Sequence, residues 1–118
     1  MEIEKAEYIL NYFRKFMNAE EKAAWKHWST TYKTQNSGLS EKELESRQRI
    51  FLKAGWLTQD SEVLELLNDG IDSFKISTAE RISKDHPEVL VMNNCPKCGK
   101  PARTPFAKQC RFCDYDWH

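Results

Sequence analysis

The sequence predicts a mainly α-helical body, a bundle of about five short helices, followed by a small β-structured C-terminal lobe. Three observations support this. Apolar residues recur at three- and four-residue steps through most of the first 85 positions, the helical period. Several candidate helices open on Asn, Ser, Thr or Asp with N-cap chemistry, and two are expected to end in Gly followed by an apolar residue. All four cysteines fall in the last 24 residues, where the helical pattern has stopped. The expected division is a helical domain over 1–88 and the cysteine lobe over 89–118.

The first helix is expected over 3–17. Ile3, Ala6, Ile9/Leu10, Phe13 and Phe16/Met17 share one face, and Glu4, Glu7, Asn11 and Arg14/Lys15 largely fill the other. Asn18 with Glu21 three residues on has the form of a capping box, which starts a second helix over 19–34. Its buried stripe is expected to be Ala24/Trp25, Trp28 and Thr31/Tyr32. His27 is expected at the surface and not as a metal ligand, because no second ligand stands at i+4. Gln35-Asn36-Ser37-Gly38 reads as a loop.

Ser40 with Glu43 repeats the capping signal and opens a helix over 41–54, with Leu44, Arg47/Gln48 and Phe51 on one side. Gly55 fits a left-handed C′ residue, with Trp56 packing back on Phe51. Thr58 or Asp60 caps a short fourth helix bearing Val63, Leu64, Leu66 and Leu67. Gly70 is expected to end it, with Ile71 over Leu66. Asp72 then caps a fifth helix with the stripe Phe74, Thr78 and Ile82. Pro87 ends it, since the residue before a proline is pushed out of the helical region. Glu88–Met92 and residues 101–109 and 114–117 are expected to supply short extended segments.

The chemistry is concentrated in Asn94-Cys95-Pro96-Lys97-Cys98-Gly99 and Gln109-Cys110-Arg111-Phe112-Cys113-Asp114. These are two C-x-x-C pairs with eleven residues between them. Each such turn aims two sulfurs at one point, and two turns facing each other close a tetrahedron. Cys95, Cys98, Cys110 and Cys113 are therefore the expected ligands of one metal ion. Zn(II) suits four thiolates, and iron in a rubredoxin-like centre stays open. Four thiolates leave no position for water or substrate, which points to a structural ion rather than a catalytic one.

Cys95-Pro96-Lys97-Cys98-Gly99, Arg103-Thr104-Pro105, Gln109-Cys110-Arg111-Phe112-Cys113 and the ending Asp116-Trp117-His118 together resemble the zinc ribbon that closes a group of small, functionally uncharacterised bacterial proteins. The resemblance covers about the last 25 residues. It implies a β zinc ribbon and no particular activity. Asp114 departs from the pattern, standing where such a knuckle usually carries Gly.

The chain has 118 residues, equal numbers of acidic and basic side chains, and 40% apolar residues, a globular composition. The charge is divided. Residues 1–92 carry 13 Lys/Arg and 16 Asp/Glu, and residues 93–118 carry five Lys/Arg and two Asp. Lys97, Lys100, Arg103, Lys108 and Arg111 offset the net −2 of a zinc–tetrathiolate. A phosphate-binding surface is the second reading of the same residues. Phe106, Phe112, Tyr115 and Trp117 are candidates to pack around the cluster or onto the helices. The longest apolar run, Val89–Met92, is far too short for a bilayer, so no membrane association is expected. No targeting segment is visible, and a cytoplasmic protein is expected. No phosphate loop, H-E-x-x-H or G-x-S-x-G occurs. The expectation is a non-catalytic zinc protein, an adaptor for an unidentified protein partner. The alternative is a nucleic-acid-binding module using the five basic residues of the tail, and a thiol redox sensor is a third reading.

Overall fold

A computed structural model describes all residues, 1–118. The chain is mainly helical: α1 (Ile3–Tyr12), a 3-10 turn (Arg14–Phe16), α2 (Ala19–Gln35), α3 (Glu41–Ala54), α4 (Ser61–Glu65) and α5 (Ile71–Asp85). No helix is long and apolar enough to cross a membrane. The residues group into two compact units, Met1–Met17 with Lys75–His118, and Asn18–Phe74. The first helix and most of α5 thus group with the cysteine segment.

In the Asn18–Phe74 unit the local signals work as the chemistry requires. The Asn18 side chain accepts the Glu21 amide and Glu21 accepts the Asn18 amide, both at 2.8 Å, so two orphan donors at the start of α2 are satisfied reciprocally. Ser40 caps α3 through the Glu43 amide, and its hydroxyl donates to the Glu43 carboxylate. Gly55 takes φ 83°, and the Trp56 amide bonds the Phe51 carbonyl at 2.9 Å while the Gly55 amide bonds that of Leu52. That pair of bonds is the Schellman ending of a helix. Asp60 caps α4.

α2 packs on α4, and Glu21, Ala24, Thr30, Val63 and Phe74 form the buried set of this unit. Trp25 stacks on Phe74 at 6.3 Å and Trp28 on Tyr32 at 5.3 Å. Tyr32 remains 55% exposed, so the apolar stripe of α2 leaves the core before its last turn. His27 is half-buried rather than a surface residue, and its Nδ1 accepts the Thr58 amide at 3.1 Å. Gly70 is left-handed, but Ile71 after it starts α5 instead of capping α4, whose regular part ends at Glu65. None of the fourteen residues of α3 is buried, and Leu44 and Phe51 are half-covered.

In the other unit α1 and the part of α5 from Lys75 supply Ala6, Tyr8, Ile9, Leu10, Thr78, Ala79 and Ile82, with Met17 beside them in the buried set. The terminal amine reaches Glu80 at 3.2 Å, and Lys75 reaches Glu7 at 3.5 Å. α1 stops at Tyr12, five residues short of the expected end, and a 3-10 turn follows. Arg81 donates to the Phe16 carbonyl at 2.7 Å, and the His86 ring stacks on Phe16 at 4.3 Å.

No sheet forms. Residues 88–92 are irregular, with Val91 71% exposed. The extended segments expected over 101–109 and 114–117 reduce to two isolated antiparallel bridges, Asn94 with Pro101 and Gln109 with Asp116.

Candidate metal centre

The two cysteine turns are copies of one device. In the first, the Lys97 and Cys98 amides point at Cys95 Sγ at 3.4 and 3.5 Å. The Gly99 amide bonds the Cys95 carbonyl, and the Cys95 amide bonds the Lys100 carbonyl. In the second, the Phe112 and Cys113 amides point at Cys110 Sγ at 3.3 and 3.4 Å. The Asp114 amide bonds the Cys110 carbonyl, and the Cys110 amide bonds the Tyr115 carbonyl. Each turn needs a left-handed residue after its second cysteine. Gly99 fills this place at φ 78° and Asp114 at φ 64°. Asp114 is the only non-glycine residue in the chain with positive φ, and Asp tolerates that region better than most residues. Each bridge then closes its turn from outside.

The four Sγ atoms lie within 4.8 Å of one another. Cys95 and Cys113 sulfurs are 3.7 Å apart, and those of Cys98 and Cys110 are 3.5 Å apart. All four thiols are free. A tetrahedral ion with metal–sulfur bonds of about 2.3 Å sets its sulfurs about 3.8 Å apart, so the cage has the right size. Cys95 and Cys110 are buried, Cys113 is half-buried and Cys98 is exposed.

Protonation also fits a cation. Burial opposes ionisation at Cys110, but the Cys113 and Phe112 amides and the neighbouring Cys98 and Cys113 outweigh it and bring the thiol down to about 6. Cys95 is lowered in the same way: burial opposes, and the Cys98 and Lys97 amides prevail. At Cys113 the Tyr115 backbone favours the thiolate, but burial and the sulfurs of Cys110, Cys95 and Cys98 push it up to about 12. Sulfurs this close disfavour one another's ionisation, so the thiols of Cys110 and Cys113 shift in opposite directions. The donor set and its spacing thus fit a metal ion that favours sulfur ligands.

The cysteine segment is held by contacts that sequence periodicity does not show. Glu4, Tyr8 and Tyr12 stand at i, i+4 and i+8 on α1. Lys100 Nζ lies 3.9 Å from Glu4, and the Tyr12 hydroxyl donates to the Arg103 carbonyl at 3.1 Å. Tyr8 is 4% exposed, and burial raises its pKa. The Asn93 side-chain amide donates to the carbonyls of Thr104 and Ala107 at 2.9 and 2.7 Å and so clamps the loop between the knuckles. The signals in the sequence were the Tyr8/Tyr12 spacing of four and an Asn just before the first knuckle.

The aromatic residues of this segment do not close over the sulfurs. Phe106 is 89% exposed, and Phe112 and Tyr115 are each 40% exposed. Tyr115 stacks on Trp117 at 6.3 Å. Lys100 Nζ and the Arg111 guanidinium each lie within 5 Å of the Phe112 ring centre, at 4.7 and 4.8 Å. The five basic residues therefore separate. Arg103, Lys108 and Arg111 line one cleft, while Lys100 is drawn to Glu4 and Phe112, and Lys97 stands outside the cleft. Compared with known protein families, curated proteins and solved structures, the chain matches none.

Proposed function

We propose that this chain is a non-catalytic zinc-binding protein, in which Cys95, Cys98, Cys110 and Cys113 hold one structural Zn(II) in a small zinc ribbon. The observation behind this is the four-sulfur cage, with every Sγ within 4.8 Å of the others. Zinc bound there would cross-link two turns in a segment with little apolar core of its own. In 93–118 only Cys95, Pro101, Ala102 and Cys110 are buried, too small a set to order a lobe without help. A closed tetrathiolate offers no open position for substrate, which supports a structural role over a catalytic one. Free thiols suit a reducing compartment, hence a cytoplasmic protein.

The helical part would then serve as an adaptor surface for a protein partner. Support comes from α3, which buries none of its residues, and from Ile50 and Trp56, 61% and 53% exposed. Exposed apolar groups on one helix and its C-terminal turn suit docking. Metal analysis of protein purified without chelator is the test. One zinc per chain is expected. A metal-free chain with an ordered tail would end the proposal, and visible thiolate-to-iron absorption would replace zinc by iron. For the adaptor part, a partner captured by the wild-type chain after nuclease treatment should be lost with Ile50→Glu. Capture that survives nuclease and is unchanged in Ile50→Glu would contradict it.

A further inference from the structure

The cleft on the second knuckle has a chemistry that the metal does not use. Arg103, Lys108 and Arg111 line a space of about 480 Å³ together with Asp114 and His118. None of these three cations forms an ion pair with a carboxylate of the chain, whereas Lys100 lies 3.9 Å from Glu4. His118 is taken by Asp116. The backbone that carries the cations is pinned. The Arg103 carbonyl receives the Tyr12 hydroxyl, the Lys108 carbonyl receives the Trp117 amide at 2.9 Å, and Asn93 clamps the loop between. Arg111 lies against the Phe112 ring, which orients its planar fork and leaves edge donors available.

Phe106 adds a second observation. It stands next to Ala107 of the cleft wall, its amide is held by the Thr104 hydroxyl at 3.3 Å, and its ring is 89% exposed. An aromatic face kept in water on a pinned loop beside unpaired cations matches the two elements of single-strand recognition: phosphate donors and a stacking platform. A duplex would hide the base faces.

We propose that this cleft binds single-stranded nucleic acid, with Arg103, Lys108 and Arg111 donating to backbone phosphates and Phe106 stacking a base. Asp114 and the −2 charge of a zinc–tetrathiolate limit the long-range field here. The site therefore works through short charge-assisted bonds and has a shallow salt dependence. It rests on the zinc reading for the shape of the lobe and for that negative charge.

The test is fluorescence anisotropy of labelled dT12 and U12 with the full, zinc-loaded chain. Three phosphate contacts on a single strand give a log–log salt slope of about −2. Affinity should thus fall about 16-fold between 50 and 200 mM KCl. The R103A/K108A pair should bind about tenfold or more weakly, and Phe106→Ala about fivefold or more weakly. Lys97→Ala, outside the cleft, should stay within about twofold. Should R103A/K108A fail to hold zinc, R103Q/K108Q read at full zinc content takes its place. No binding at 50 mM salt would overturn the proposal. So would binding indifferent to Arg103, Lys108 and Phe106. Displacement of the strand by pyrophosphate at equal concentration would also overturn it, by marking a site for free phosphate. Zinc content is read separately, so strand binding that fails in fully loaded protein counts against this proposal alone.

Discussion

The two knuckles differ in one place where a small change has a calculable sign. Gly99 and Asp114 occupy the same position, at φ 78° and 64°. A Cβ built on Gly99 meets nothing within 4 Å, so Gly99→Ala tests the backbone alone. Left-handed backbone costs an L-residue about 1–2 kcal/mol, and the stiffer unfolded chain returns about 0.4–1 kcal/mol. Gly99→Ala should therefore lose about 1 kcal/mol. Asp114→Gly runs the other way with a smaller magnitude, about 0.5 kcal/mol of gain, because Asp tolerates the region and Gly raises unfolded-state entropy. Metal binding and folding of such a lobe are one equilibrium, so both changes should appear in zinc affinity measured by chelator competition. Since 1.36 kcal/mol is tenfold, Gly99→Ala should weaken zinc about fivefold and Asp114→Gly should strengthen it about twofold. Two variants moving the same way, or Gly99→Ala without effect, would refute the claim that these residues set the knuckle geometry.

Two other perturbations have signs that follow from single contacts. Asn93→Ala removes both donors that clamp Thr104 and Ala107 and should cost about 1–3 kcal/mol. Faster hydrogen exchange at the Ala107 amide and a lower urea midpoint are expected, and unchanged exchange would contradict the clamp. His27 accepts the Thr58 amide through a bare Nδ1, which requires the neutral ring, and burial lowers its pKa from the usual value. The folded state thus resists a proton that the unfolded state takes up below pH about 6.5. This contribution to stability is full above that pH and is lost as pH falls through the lowered folded value. Urea midpoints followed by tryptophan fluorescence should drop from pH 7.5 to 5.5 more steeply in wild type than in His27→Ala. Parallel slopes would rule this out.

What could be read in the sequence was what is determined locally. The Asn18–Glu21 and Ser40–Glu43 caps and the left-handed Gly55 depend on neighbours within a few residues. The C-x-x-C pairs are local in the same sense, since the amides aimed at the first sulfur of each pair come from its own turn. What could not be read depends on distant partners. Val89 and Val91 look like strand residues, but a strand needs a neighbour to pair with, and none lies beside them. Glu4 looked like a solvent residue because its partner, Lys100, is far away along the chain. His27 was legible as a poor metal ligand but not as the acceptor for Thr58, 31 residues on. Tyr32 continues the periodicity of α2 past the end of the surface that could bury it.

Zinc-edge X-ray absorption on protein purified without chelator tests the centre most directly. Four sulfur neighbours at about 2.3 Å are expected. A first shell with fewer than four sulfurs, or with nitrogen or oxygen in place of a thiolate, would contradict the account. Oxidised sulfur pairs in place of thiolates would contradict it as well.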